Sequence, residues 1–243
     1  EVLGKAGGKI AGGLFCAFLA FLTVVFMASF HEMLGAELLP TTPRWLTMTA
    51  TFVLIGWIVG NGLEDIARFS TLLAPLIILT LVLVLLGNVQ DMHLVNVLPF
   101  GGSEWTDRFI TIQLVLQIFL PICILLVLYP RVLEQEKVWH LAAISIVASG
   151  IYQALMFFAV IAIFGEGIRI IWPLVELARM VRIGPFLERL EALFIAIWMS
   201  IAFLNGSILT YCTVQSWRDL WPKQPRRRNT ALIFLTIWLG TLA

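Results

Sequence analysis

The chain has 243 residues, 60% of them hydrophobic and 13% charged, with a formal net charge of +1 and a mean hydropathy of +0.96. So little polar surface excludes a water-soluble domain of this size, and the absence of a basic arm excludes nucleic acid as a partner. Cys16, Cys123 and Cys212 have no CxxC spacing and no His neighbour, so neither a disulfide framework nor a metal site is indicated.

Residues 1–11 carry Lys5 and Lys9 among glycines without the order of a signal peptide, and read as a connector. Uncharged apolar runs then follow from Gly12 to Phe30, Trp45 to Leu63, Phe69 to Gln90, Phe109 to Pro130, Val138 to Gly165 and Ala192 to Trp217, with a further run opening at Asn229. As an α-helix the shortest run reaches roughly 28 Å, which matches a hydrocarbon core of about 30 Å. The expected fold is an all-α polytopic membrane protein, one transmembrane domain over residues 1–243. It is expected to be incomplete at both ends, because the chain starts at Glu1 and stops inside an apolar run.

The polar residues within and between these runs are the candidates for function. His31 and Glu32 close the first run, as an interfacial pair or a proton relay. Glu64 and Arg68 are four apart at the end of the second, where they form either an inner gate or a hairpin-closing ion pair. Pro121 interrupts the fourth run, and Gln113 and Gln117 precede it on the same face. Proline there predicts a bent or broken helix, which is either a plain kink or the wall of a ligand cavity. Between the fifth and sixth runs, Pro173 opens a short amphipathic helix with Glu176, Arg179 and Arg182 spaced by three, acting as a lid or simply packing at the interface. Glu188, Arg189 and Glu191 cluster before the sixth run. Asn205, with Ser207 and Thr210, lies inside it, where an amide needs a partner from another helix, a water or a ligand.

Alternating the connectors between two sides gathers Lys5, Lys9, Arg68, Arg131, Lys137, Arg218, Lys223, Arg226, Arg227 and Arg228 on one face, which the positive-inside rule makes cytoplasmic. The triple arginine also favours contact with anionic membrane lipid. No HExxH, GxSxG, Walker or strand-borne GxGxxG pattern is present, and no cofactor or enzymatic activity is expected.

Three segments go beyond composition. Gly62, Leu63, Glu64, Asp65, Ile66, Ala67 and Arg68 with Pro75 downstream, the turn from Leu39 to Pro43, and Trp172 to Arg179 followed by Ile183 to Ala192 and Trp198 together resemble the spore-germination permeases, the membrane B subunits of germinant receptors. The resemblance implies an amino acid/polyamine/organocation transporter fold of the inverted-repeat LeuT type, with this chain covering about helices three to nine. It makes the helix around Pro121 the sixth, so that Gln117, Phe119, Leu120, Pro121 and Asn205 would line a pocket for a small germinant, an amino acid by analogy. Glu64, Arg68, Pro173, Glu188, Arg189 and Glu191 would then gate or hinge it. Where the resemblance leads one to expect a glycine and an acidic or polar residue at the sixth-helix break, this chain has Leu120 and Pro121, and where many relatives carry a lysine in the eighth helix it has Asn205. The implied setting is the spore inner membrane or the bacterial cell membrane, with A-type and C-type receptor subunits as partners. The competing expectation is a permease that carries an amino acid or organic cation across the bilayer.

Overall fold

A computed structural model describes residues 4–97, 120–132, 135–165, 173–181, 190–222 and 226–242, and every regular element among them is helical. In chain order these are α1 (Gly4–Met33), a π-helical turn (Leu34–Leu38), α2 (Arg44–Asn61), α3 (Leu63–Gly87), 3-10 turns at Val89–Asp91 and Leu94–Val97, α4 (Leu120–Leu128), a 3-10 turn at Tyr129–Arg131, α5 (Gln135–Phe164), α6 (Pro173–Met180), α7 (Leu190–Leu220) and α8 (Arg226–Leu242). Among the described residues, four helices are long and apolar enough to cross a membrane: Gly7–Ala36, Leu63–Gly87, Gln135–Phe164 and Ala192–Leu220. The second apolar run forms α2, 18 residues long with Arg44 and Asn61 at its ends, and does not join those four.

The breaks follow from local chemistry. The π-turn is closed by the Leu39 N–H donating to the Leu34 carbonyl at 2.9 Å, and Pro40 and Pro43 then prevent the helix from continuing. Between α2 and α3 the reversal falls on Gly62, whose φ of +112° only glycine adopts freely. This corrects the sequence expectation for Glu64 and Arg68. They sit in the opening turns of α3 rather than at the end of the preceding helix, so Glu64 meets the positive end of the helix dipole. Pro75 lies inside α3, which runs on through it. α5 ends where expected, with Gly165 at φ +67° and its N–H donating to the Ile161 carbonyl at 2.8 Å. The short helix predicted from Pro173 is α6, with proline as its first residue.

The chain divides into two compact units, one comprising Glu1–Leu72 with Ser200–Ala243 and the other Leu73–Met199. In the first, Met27, Phe52, Ile55, Val59, Val214, Ile233 and Ile237 form the core. Small residues let these helices approach: a Cβ on Gly206 would lie 3.0 Å from Ile55 Cδ1 and Met27 Sδ, and one on Gly240 3.1 Å from Val24 Cγ2. Lipid tails are as apolar as leucine, so close packing of this kind, rather than escape from solvent, holds membrane helices together. In the second unit the core is Val84, Met156, Ala159, Val160, Leu177, Ala178, Val181 and Phe194.

Candidate functional site

In the second unit, α6 buries Val175, Leu177 and Ala178 and turns Arg179 outward, where its guanidinium lies 2.6 Å from Glu176. Two features at the end of α3 receive it. Gly87 has no side chain to hold Val181 away, and the fully buried Asn88 donates its Nδ2 to the Val84 carbonyl at 2.8 Å and to the Leu177 carbonyl at 2.9 Å. The second bond satisfies a carbonyl in the last turn of a short helix. Nearby, the Asn96 amide and the His93 backbone N–H both donate to the Ala162 carbonyl, at 3.0 and 2.9 Å, and tie the 3-10 segment to α5. Sequence reasoning missed Asn88. The signal was a small residue directly beside an amide at the end of an apolar run.

Also within this unit, an open groove of about 470 Å³ runs between α4 and α5, lined by Ile122, Leu125, Val138, Leu141, Ser145 and Ser149. Its serine hydroxyls donate to their own helix, Ser145 to the Leu141 carbonyl at 2.8 Å and Ser149 to the Ile146 carbonyl at 3.0 Å. The groove therefore offers apolar walls and hydroxyl lone pairs, and it begins at the residue after Pro121.

In the first unit, hydroxyls line the seam between α1 and α7. Thr23 Oγ1 donates to the Leu19 carbonyl at 2.7 Å and Thr213 Oγ1 to the Leu209 carbonyl at 2.9 Å, with the two oxygens 3.2 Å apart. Cys16 Sγ lies 3.7 Å from the Thr213 carbonyl. His31 is buried and bonded to the Met27 carbonyl, whereas Glu32 is exposed. The expected interfacial pair does not form, because adjacent residues on a helix face apart.

The predicted site residues divide as follows. Asn205 is exposed on α7 and forms no side-chain hydrogen bond with the described residues. Leu120 and Pro121 open α4, Pro173 opens α6, and Glu191 is the second residue of α7. Gln117, Phe119, Glu188 and Arg189 lie outside the described residues, as does Arg182. Arg68 and Glu64 pair at 2.6 Å with side chains 75% and 76% exposed, which limits the pair to about 0.3–0.5 kcal/mol. Glu64→Gln is accordingly expected to change unfolding free energy by less than about 0.5 kcal/mol, as read from a denaturant titration in micelles. Among the described residues, no three His, Cys, Asp or Glu side chains gather as a metal site.

The family model for "Spore germination protein" matches residues 1–242. The chain belongs to the spore germination protein family. Two members from Bacillus subtilis (strain 168) show the distance: spore germination protein KB is 21% identical over 248 residues, covering 100% of this chain and 65% of the relative. Spore germination protein A2 is 24% identical over 215 residues, covering 87% and 59%. The chain thus spans about three fifths of the length of these curated family members. No solved structure matches it. Membership in the family, together with the four long apolar helices, makes the chain an integral membrane protein.

Proposed function

We propose that the chain is part of the permease-like membrane subunit of a germinant receptor, and that it binds a small germinant, an amino acid by family resemblance. The observation that carries this reading is the family match along residues 1–242. In the proposed inverted-repeat arrangement, Gln117, Phe119, Leu120, Pro121 and Asn205 line the pocket. The free amide of Asn205 supports this, since an amide on a membrane helix needs a partner. The segment from Pro173 to Glu191 is the lid, with Glu188, Arg189 and Glu191 as its gating charges, and Glu64 with Arg68 marks the hinge on the cytoplasmic side. A-type and C-type receptor subunits receive the signal in the spore inner membrane. Ligand acts by binding one of two states more tightly.

The test is labelled amino-acid binding and uptake by the full-length protein in liposomes. Saturable binding without uptake is expected. Saturable uptake would replace the receptor reading with a permease, and an absence of binding across the amino acids would remove the ligand class.

A further inference from the structure

The groove between α4 and α5 has two unlike ends. The Tyr129 and Trp139 rings meet at 5.8 Å, which sets the end of α4 beside the start of α5. The two helices therefore run antiparallel along the groove, from Val132 and Val138 at the turn to Ile122 and Ser149 at the far end. From Val138 to Ser149 α5 rises roughly 16 Å at about 1.5 Å per residue. That is half of a hydrocarbon core about 30 Å thick, so the groove is one leaflet deep.

The turn end has the chemistry of a membrane interface. Tyrosine and tryptophan collect at the headgroup level of a bilayer, and Tyr129 and Trp139 lie together here. Arg131 directly precedes Val132 and Lys137 directly precedes Val138, so a cation stands beside the lining residue of each wall. Arg131 donates to the Val127 carbonyl in the last turn of α4, which keeps its charge at that end. Lys137 is exposed and one helical turn before the lining residue Leu141, whereas Glu136, also exposed, is two residues from Val138 and faces away from it. Deeper in, the polar atoms on the walls are the hydroxyls of Ser145 and Ser149, whose hydrogens go to carbonyls of α5 itself. A hydrocarbon chain fills such a space without stranding a donor.

We propose that this groove seats one anionic phospholipid, with an acyl chain between α4 and α5 and the phosphate at Arg131 and Lys137. Basic pockets between transmembrane helices hold anionic headgroups, and bonds from a cation to phosphate are about twice as strong as neutral ones. The depth of the groove selects the acyl chain, and the cation on each wall selects the headgroup. A lipid held there fixes the spacing of α4 and α5. The proposal needs the chain to span a bilayer and is independent of which germinant the protein binds.

The test is photo-crosslinking of the full-length protein in phosphatidylcholine nanodiscs doped with phosphatidylglycerol that carries a diazirine on one acyl chain. Saturable labelling confined to peptides 122–132 and 138–149 is expected, displaced by unlabelled phosphatidylglycerol at about one tenth the amount of phosphatidylcholine, the effect of one hydrogen bond to a charged group. Ser145→Phe, which fills the groove, is expected to abolish the saturable part. Lys137→Gln is expected to weaken it about tenfold. Val147→Phe, at a position 61% exposed on α5 outside the groove lining, is the control and is expected to change nothing. Labelling spread over all the long helices without saturation, equal displacement by the two lipids, or saturable labelling unchanged in Ser145→Phe overturns the proposal. The wild-type labelling map decides the matter should the variants misfold.

Discussion

Replacing Gly87 with alanine is expected to loosen α6 from the end of α3 and to speed amide exchange across Pro173–Met180 by about tenfold or more. The added methyl would fall inside van der Waals contact of Val181 Cγ1 and lie 3.2 Å from its Cγ2 and 3.3 Å from its Cβ. A flexible side chain would swing aside, but valine is branched at Cβ and Val181 is buried, so the backbone of the segment must move. Two effects compete. Alanine improves helix propensity over glycine by up to about 1 kcal/mol, whereas overpacking a filled site costs about 1–3 kcal/mol. Because Gly87 is the last residue of α3, the propensity gain is at its smallest and the clash decides. Gly150→Ala in α5 is the control, with nothing within 4 Å of the new Cβ, and is expected to be neutral or slightly stabilising. Unchanged exchange in Gly87→Ala would mean that this contact does not dock α6.

Alanine at Asn205 and at Gln117 is expected to weaken germinant binding by about tenfold or more at each position, the worth of one hydrogen bond to a charged ligand group. The same Asn205→Ala change should leave stability within about 0.5 kcal/mol, because the amide is exposed and bonded to no described residue. Measuring affinity and unfolding on one preparation separates the two effects. Affinity that survives both substitutions would show that the pocket lies elsewhere, and the groove between α4 and α5 would be the next place to probe.

Much of the helical layout was readable in the chain because apolar length and proline position are properties of a segment by itself. α6 was found from Pro173 and its spacing of charges, and the end of α5 from Gly165. Glu64 and Arg68 were assigned to the wrong helix because an apolar run shows how long a span is but not where the backbone reverses. That point is fixed by the positive φ at Gly62. Asn88 escaped notice for another reason. It is one polar residue in an apolar stretch, and its importance depends on which neighbouring carbonyl it meets, that of Leu177. His31 was singled out as half of a pair with Glu32, and its partner turns out to be the Met27 carbonyl of its own helix.

The threonines between α1 and α7 bear on how the first unit can move. A hydroxyl has one hydrogen, and Thr23 and Thr213 each have a carbonyl of their own helix within reach of it. At their 3.2 Å approach either one can donate to the other instead. Sliding α1 along α7 would cost the weak thiol contact from Cys16 to the Thr213 carbonyl but would strand neither hydroxyl, since each falls back on its own helix, so at the threonines the surface works as a bearing rather than a weld.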